Sequence, residues 1–300
     1  MKGGLEALTI PIKHNVKQRL SPEQKLELKE IILNQSPLDY GIDRNMWTGE
    51  IIAKLIYDKW GVTYKLARIY QILHDLGLSY QRAHRDYANA NPEEQKKFVE
   101  EVKKTLEASP GKIRVVFFDE FAVFDRPSIF YGWAEVNTRP QVLSDEKERH
   151  KTNGFLSVDV ETGEENLVLH EQSKSADIAS YFLLLCDQTI KMGFSFLTVY
   201  LDNNSTHKGK MIKMLQSLLT ILGLSDKIKV EFKYTPAYSP NFNLVEYLIH
   251  QLRLKVLHHM PLGTTIDEII RRVENFLQNN RLQTPEQIRN IIEHIYSLAA

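Results

Sequence analysis

Apolar and polar residues follow helical patterns at the two ends of this chain and strand patterns in its middle. Before residue 107, apolar side chains recur every three or four positions, as at Ile51, Ile52, Leu55 and Ile56, which is typical of amphipathic helices. From residue 113, short β-branched and aromatic runs appear, first in succession and then alternating with helical stretches. This order predicts a helical domain (residues 1–90) followed by an α/β domain (residues 91–300), in which helices cover both faces of a mixed sheet.

Three helices are predicted in the first domain. The first opens at Ser21-Pro22-Glu23-Gln24, which combines an N-cap serine, a proline at the first helical position and a glutamine at the third. The second is predicted from Thr48 to near Gly61, and the third from a cap at Thr63 to Gly77.

The second and third helices have the spacing of a helix-turn-helix, whose second helix enters the major groove of DNA. The side chains expected to face DNA are Tyr64, Lys65, Arg68 and Gln71. The segment 79–85, which contains Arg82 and Arg85, could form a wing against the DNA backbone. An ordinary helical hairpin has the same pattern and stays open as an alternative.

The second domain is predicted to contain strands at residues 113–118, 131–136, 154–160, 166–170, 195–201 and 229–234. Helices are predicted over residues 92 to about 109, 176–191, 208–222 and 243–257, and two more open with capping signals at Thr265 and Thr284.

Three of these segments carry a carboxylate that could hold a divalent metal. Asp119 and Asp202 follow apolar runs that read as strands, and Glu246 lies in an apolar helix after the turn at residues 236–240. Mg²⁺ prefers carboxylate and water oxygens, and two such ions can activate an attacking oxygen and stabilise the leaving one. The three carboxylates therefore favour phosphoryl transfer on nucleic acid.

Each carboxylate alone has a simpler interpretation. An Asp at a strand end is more often a turn or cap residue, and an isolated Glu on a helix is usually solvated. His207 has no Cys or His partner at zinc-like spacing, so structural zinc is not expected. Only the combination, in this order and on these elements, favours a catalytic site.

Composition is consistent with a globular protein that uses no disulfides. The 300 residues are 43% hydrophobic and 25% charged, and the one cysteine, Cys186, lies in an apolar run. No apolar run reaches the roughly 20 residues of a membrane span, and the N-terminus lacks the pattern of a signal peptide, so we expect a reducing cytoplasm. The net charge is zero, but residues 203–260 contain eight Lys or Arg against three acids, with Lys208 and Lys210 as candidate DNA contacts. A solvated basic face is the alternative for this run.

A family resemblance combines these features. Asp119-Glu120, then Leu201-Asp202-Asn203 with His207, then Pro236-Ala237-Tyr238-Ser239-Pro240 with Asn243 and Glu246, resemble the D, D and E blocks of bacterial DDE transposases. The branch they resemble is the insertion sequence 630 group of the mariner superfamily. The third block is the most diagnostic, and the region from Trp47 to Gln81 resembles the second helix-turn-helix of that group.

The resemblance implies a ribonuclease-H-like core with a mixed five-stranded sheet behind a helical, winged helix-turn-helix domain. It implies that Asp119, Asp202 and Glu246 bind two Mg²⁺ ions, or Mn²⁺, and catalyse cleavage at inverted-repeat ends and strand transfer into target DNA. Asn203, His207 and Asn243 would position these groups or the substrate, and Glu120 would be structural or an auxiliary acid. The expected partners are double-stranded DNA and a second copy of the chain, in a bacterial cytoplasm, associated with the nucleoid.

This sequence departs from the pattern of the family at several places. The gap from Asp202 to Glu246 is long, with residues 222–226 resembling an insertion; Leu244 stands where Pro is common, and Ala237 is an additional residue. The family usually has another helix-turn-helix before the segment resembled by residues 4–8. Two interpretations stay open: the chain is the second reading frame of a split element, with the other helix-turn-helix encoded upstream, or it is a truncated remnant. Two further functions stay open: a DNA-binding protein without catalysis, and a nuclease or resolvase that cuts without joining.

Overall fold

A computed structural model of the chain describes residues 19–81, 89–107, 111, 113–126, 128–135, 137–143 and 150–299. The chain divides into two compact units, Met1–Arg85 and Asp86–Ala300. Within the described ranges, no helix is both long enough and apolar enough to cross a membrane.

The first unit contains three α-helices around a small apolar core. They are α1 (Pro22–Asn34), α2 (Gly49–Trp60) and α3 (Leu66–Asp75), with a 3-10 turn at Pro37–Tyr40 between the first two. The predicted cap of α1 is present, because the Ser21 hydroxyl accepts from the N–H of Gln24 and the Gln24 side chain accepts from the N–H of Ser21. The core that the three helices share consists of Leu20, Leu28, Ile31, Ile52, Leu55, Ile56 and Ile69.

Two glycines allow α2 and α3 to approach each other closely. Gly61 ends α2 with φ of 65°, in the left-handed region that residues with a Cβ rarely adopt. Gly49, at the start of α2, lies under the ring of Tyr70 on α3, and a Cβ at this position would be 2.6 Å from the ring. A side chain at residue 49 would therefore displace the ring of Tyr70 from its place against α2.

The prediction that Thr63 caps α3 is wrong, since the helix begins at Leu66 with Lys65 as its N-cap. Tyr64 is half-buried and packs against the core, and its hydroxyl accepts a hydrogen bond from the N–H of Leu20 at 3.1 Å. This anchoring holds the chain extended until residue 65. It also means that Tyr64 points toward the core of this unit, not toward DNA as predicted.

The second unit contains a five-stranded sheet and six α-helices among its described residues. The strands are β1 (Arg114–Phe124), β2 (Lys151–Asp159), β3 (Glu165–His170), β4 (Phe196–Leu201) and β5 (Lys229–Tyr234). The helices are α4 (Pro92–Glu107), α5 (Ser175–Lys191), α6 (Gly209–Ile221), α7 (Leu244–Leu252), α8 (Ile266–Asn279) and α9 (Pro285–Ser297).

The strands lie in the order β3-β2-β1-β4-β5. β1, β2 and β3 pair antiparallel, whereas β4 runs parallel to both β1 and β5. The parallel connections cross over through α5 and α6, as parallel pairing requires. This arrangement confirms the predicted mixed five-stranded sheet flanked by helices.

Alternation along β1 sends its side chains to two separate cores. Val116 and Phe118 pack with α5 and α6, whereas Phe117 and Phe121 pack on the opposite face with α4, α7, α8 and α9. By the same alternation Asp119 belongs to the α7 face and Glu120 to the α5 face.

The start of β1 is held by a buried arginine. Arg114 is 1% exposed, and its guanidinium contacts Asp159 at 3.0 Å and Glu164 at 3.3 Å. The guanidinium also donates a hydrogen bond to the hydroxyl of Thr189 at 3.3 Å. The charge is thus paired, as burial of an arginine requires.

Besides the length of β1, two predicted elements of the second unit differ in the structure. Residues 131–135 form no strand: Tyr131 and Trp133 are exposed, and no described strand pairs with them, so β propensity alone does not order this segment as sheet. The helix predicted to end at residue 257 is α-helical only to Leu252 and continues as a π-helical turn over Arg253–Leu257.

Candidate active site

Asp119 lies on β1 at the level where one of its two neighbouring strands ends. β4 pairs with β1 only as far as Tyr200 beside Phe117, whereas β2 pairs with β1 through Phe124. The prediction that Asp119 ends its strand is therefore wrong, because pairing with β2 carries β1 five residues further. The register of β1 and β4, continued by two positions, brings Asp202 to the level of Asp119.

The turn after β5 leads the chain back toward these two aspartates. The N–H of Thr235 donates to the carbonyl of Leu201 at 2.8 Å, so the turn begins beside the end of β4. The hydroxyl of Ser239 donates to the carbonyl of Ala237 at 3.1 Å and accepts from the Gln95 amide on α4 at 3.0 Å. Hydrogen bonds thus hold the turn before α7 at Thr235, where it begins, and at Ser239, near its end.

Asn243 connects helix α7 to Asp119. As the N-cap of α7, its Oδ1 accepts from the N–H of Val245 at 3.1 Å. Its Nδ2 donates to the carbonyl of Phe118 and to Oδ2 of Asp119, both at 3.1 Å. Since Asn243 is 2% exposed, all its hydrogen bonds are made within the protein. One amide therefore starts the helix and orients the carboxylate.

Glu246 occupies the first turn of α7 and is exposed. Asp119 is 8% exposed, and burial, followed by the negative charge of Glu246, raises its pKa to about 8. The charge of Asp202 acts in the same direction, while a hydrogen bond from the N–H of Glu120 opposes it. The three predicted catalytic carboxylates therefore lie within electrostatic reach of one another.

His207 bridges two carboxylates at the end of the sheet. Its Nδ1 lies 2.6 Å from Oδ1 of Asp202 and its Nε2 lies 3.2 Å from Oε2 of Glu120. Burial acts to lower the pKa of His207, but hydrogen bonds to Asp202 and Glu120 and their charges outweigh it and raise the pKa to about 10. His207 is therefore an imidazolium at neutral pH, with both ring nitrogens donating.

The imidazolium has the opposite effect on its partner. Burial acts to raise the pKa of Asp202, but the hydrogen bond and the charge of His207 lower it overall. Glu120 is held from a second side, because its Oε1 accepts from the hydroxyl of Ser173 at 2.5 Å. Asp202 is thus kept ionised and oriented, while Glu120 supports the histidine.

The donor set fits a hard divalent cation, although the side chains are turned to protein partners. Among the described residues, no three His, Cys, Asp or Glu side chains lie close enough together to hold a metal ion. The carboxylates of Asp119 and Asp202 instead contact Asn243 and His207. Their oxygens, with those of Glu246, are the ligands that Mg²⁺ and Mn²⁺ prefer, and mutual repulsion around the buried Asp119 is a reason for a cation to bind.

The remaining predicted residues are placed less closely around the carboxylates. Asn203 is exposed and forms no side-chain hydrogen bond to a described residue. Lys208 and Lys210 are exposed at the start of α6, and Lys65, Arg68 and Gln71 are exposed on α3 and its cap. Arg82 and Arg85, and with them most of the predicted wing, lie outside the described residues.

Two residues that support the site had not been predicted. Ser173 contacts Glu120 across 53 positions of sequence, and Gln95 contacts Ser239 across 144 positions. No local pattern marks either residue, because each acts only through a partner that the fold brings to it.

Comparison with known proteins shows which class this fold and site define. Residues 114–267, just over half the chain and all three carboxylates, match the family of DDE superfamily endonucleases. Residues 43–102 match a winged helix-turn-helix family. The chain therefore belongs to the DDE superfamily endonucleases, a family of nuclease and transposase enzymes.

Individual proteins similar to the chain agree with this assignment. An uncharacterized 39 kDa protein of insertion element IS630 from Shigella sonnei is 23% identical over 252 residues, which cover 84% of this chain and 69% of that protein. The fold is similar to that in the crystal structure of a pre-cleavage Mos1 transpososome, with a TM-score of 0.63, 12% identity, and coverage of 94% of this chain and 80% of that one. A Mos1 mariner paired end complex with Mn has a TM-score of 0.63, 13% identity, and coverage of 94% and 78%.

These findings confirm the resemblance to insertion sequence 630 and mariner DDE transposases and the ribonuclease-H-like fold. They support DNA transposition as the function and DNA as a binding partner.

Proposed function

We propose that this chain cleaves DNA at the inverted-repeat ends of a mobile element and joins those ends to target DNA, in the bacterial cytoplasm and in association with the nucleoid. Asp119, Asp202 and Glu246 are its catalytic carboxylates. The observation that supports this proposal most is the placement of the three carboxylates: the register of β1 and β4 brings Asp202 to the level of Asp119, and Asn243, which caps the helix that carries Glu246, donates to Asp119. Three carboxylates gathered around a buried position are typical of functional sites.

In this proposal the three carboxylates bind two Mg²⁺ ions, which Mn²⁺ can replace. Divalent cations bound there would activate the attacking oxygen and neutralise the charge on the leaving oxygen. Two solved structures with a similar fold support this choice, because one is a Mos1 mariner paired end complex with Mn and the other is one with Mg. These structures resemble this chain in fold alone, so the identity of the metal is part of the proposal.

The residues around the carboxylates act by positioning them. Asn243 holds Asp119 at 3.1 Å and ties its orientation to the start of α7, which also carries Glu246. His207 keeps Asp202 ionised through the 2.6 Å contact of its Nδ1. Hydrogen-bonded support of this kind sets the geometry and basicity of metal ligands.

The test is cleavage and joining of DNA that carries the ends of the element. Asp202→Asn and Glu246→Gln should each abolish Mg²⁺-dependent cleavage while leaving folding and DNA binding intact. Asp226→Asn is the matched control, because Asp226 is exposed in the turn before β5 and forms no side-chain hydrogen bond or ion pair with a described residue. Cleavage that persists in Asp202→Asn would overturn the active-site assignment.

A strand-transfer assay separates this proposal from the alternatives. A transposase yields a joined product from a pre-cleaved end with a free 3′-hydroxyl, whereas a nuclease or resolvase only hydrolyses. A protein that binds DNA without catalysis gives neither product at any Mg²⁺ or Mn²⁺ concentration.

The proposal also includes a homodimer that holds two ends together. Sedimentation of the protein with one labelled end and one unlabelled end should reveal a complex with two chains and two DNA molecules. A complex that contains a single chain at all protein concentrations would contradict the dimer while leaving the catalytic assignment unaffected.

A further inference from the structure

Helix α4 lies outside the part of the chain that matches the DDE family, but it reaches the candidate active site. The family match begins at residue 114, whereas α4 ends at Glu107. Most of α4 falls instead within the winged helix-turn-helix match, residues 43–102. By its packing, however, α4 is part of the second unit, and its buried side chains lie in the same core as those of α7: Phe98, Val99 and Val102.

Phe98 packs α4 against the turn that precedes α7. Its ring meets the ring of Phe242 edge-to-face, with centroids 6.2 Å apart, and the ring of Tyr200 on β4, with centroids 5.6 Å apart. Phe242 ends the 3-10 turn Pro240–Phe242, directly before the cap residue Asn243. Because all three rings are buried, the first half of α4 is fixed against both β4 and the start of α7.

Gln95 adds a polar contact from α4 to the same turn. It precedes Phe98 by three positions, so both side chains lie on one side of the helix. The Gln95 amide donates to the hydroxyl of Ser239 at 3.0 Å, and this hydroxyl donates to the carbonyl of Ala237 at 3.1 Å. Since Ser239 is 5% exposed, loss of the Gln95 donor would leave the hydroxyl underbonded where water has little access.

The turn that this hydroxyl helps to close contains a strained residue. Tyr238 has φ of 57°, in the left-handed region that is costly for a residue with a Cβ. Such a conformation persists where surrounding contacts impose it. Two hydrogen bonds close the turn around it, from the Ser239 hydroxyl to the Ala237 carbonyl and from the N–H of Phe242 to the Ser239 carbonyl, both at 3.1 Å. Both bonds involve Ser239, which Gln95 holds from α4.

We propose that Gln95 is a positioning residue of the active site, which acts through Ser239 on the turn and thereby on the start of α7. Four positions after Ser239, Asn243 caps α7 and donates to Asp119, and Glu246 follows in the first turn of the helix. A relaxed turn would therefore displace the contact to Asp119 and the carboxylate of Glu246 together. A displacement of about 1 Å is enough to slow a reaction about 100-fold. This inference rests on the proposed function, since it takes Asp119 and Glu246 as catalytic.

The first test separates rate from affinity. Gln95→Met keeps the length of the side chain but cannot donate a hydrogen bond. In the full-length protein, cleavage of a saturating end-containing duplex in Mg²⁺ should slow about 10-fold, whereas affinity for the same duplex in EDTA should be unchanged. The Mg²⁺ concentration for half the maximal rate should increase, because a displaced Glu246 is a poorer ligand. Gln216→Met is the matched control, since Gln216 is exposed on α6 and its side chain forms no hydrogen bond with a described residue.

A double variant shows whether Gln95 acts through Ser239. Ser239→Ala removes the acceptor, so it should slow cleavage by a similar factor. In the Ser239→Ala background, Gln95→Met should have little further effect, because the contact that it removes is already absent. If the two rate losses multiply in the double variant, the two residues act separately and the inference is overturned.

Hydrogen exchange follows the turn without requiring catalysis. The N–H groups of Phe242 and Asn243 donate to carbonyls within the turn, at 3.1 and 2.9 Å. In protein without DNA and in EDTA, Gln95→Met should speed exchange several-fold in a peptide that covers residues 235–243, while exchange in β1 and β2 stays as in wild type. Equal exchange of this peptide in the two proteins would overturn the inference. Faster exchange throughout the second unit would indicate general destabilisation and would also overturn it.

The outcomes distinguish this inference from the proposed function. If the wild-type protein cleaves and joins DNA and Gln95→Met does so at the same rate, the positioning role alone is overturned. If the wild-type protein never cleaves DNA, the proposed function is overturned. Faster exchange of the turn in Gln95→Met would then still support the contact by which α4 holds it.

Discussion

Metal-free protein should lose stability as pH rises, because Asp119 is buried among negative charges. Its pKa is raised from an ordinary 3.8 to about 8 in the folded state, first by burial and then by Glu246. Between these two values the unfolded chain releases the proton while the folded chain keeps it. The folded state therefore binds more protons in this window, and stability falls as pH increases. Below the ordinary pKa the effect disappears, and above about 8 it is complete.

Asp119→Asn removes this dependence, because an amide does not ionise. Each pH unit inside the window corresponds to about 1.4 kcal/mol. The free energy of unfolding of the variant minus that of wild type should therefore increase by about 4 kcal/mol from about pH 5 to about pH 8. The contribution of His207 to the pH dependence is common to both proteins and cancels in the difference. Urea unfolding in EDTA, followed by circular dichroism, measures the gap at each pH.

Mg²⁺ supplies the control for this experiment. Metal should stabilise wild type more at high pH than at low pH, because it replaces the proton on Asp119, and it should have little effect on Asp119→Asn. A gap between the two proteins that stays constant from about pH 5 to about pH 8 would refute the placement of Asp119 as a buried carboxylate near the charges of Glu246 and Asp202.

Three other changes test particular contacts. Asn243→Ala removes the cap of α7 and two buried donors, so urea unfolding should show a loss of about 2–4 kcal/mol, and unchanged stability would contradict the double role of this residue. His207→Gln removes the cation beside Asp202, so the cleavage rate should fall about 10- to 100-fold with DNA affinity retained; equal loss of affinity would indicate a misfolded variant. Gly49→Ala places a Cβ 2.6 Å from the Tyr70 ring and should cost about 1–3 kcal/mol and weaken DNA binding, and a second change, Tyr70→Leu, should restore both.

Features set by neighbouring residues could be predicted from the sequence. The capping boxes at Thr265 and Thr284 are present as predicted, because each joins residues three positions apart. β5 spans Lys229–Tyr234, as its β-branched and aromatic pattern indicates. Asp202 follows directly after β4, as predicted. The apolar run before Asp202 forms this strand, which lies between β1 and β5.

Features set by distant partners could not be predicted. The length of β1 depends on its pairing with β2, which the apolar residues after Glu120 allow but do not determine by themselves. The start of α3 depends on a hydrogen bond between Tyr64 and Leu20, 44 positions apart. The sequence identified Asn243 and His207 as positioning residues but did not show which groups they contact, because these contacts exist only in the folded chain.

The mixed sheet also determines when during folding the protein can acquire nuclease activity. β1, β2 and β3 are antiparallel neighbours along the chain, so they can pair early, whereas β4 and β5 must wait for crossovers that close long loops. The contact from Asn243 to Phe118 spans 125 positions and joins the last part of the site to the first. A growing or partly unfolded chain therefore has its aspartates without the helix that carries the glutamate. On the proposed assignment of these carboxylates, DNA is exposed to this chemistry only after the whole second unit has assembled.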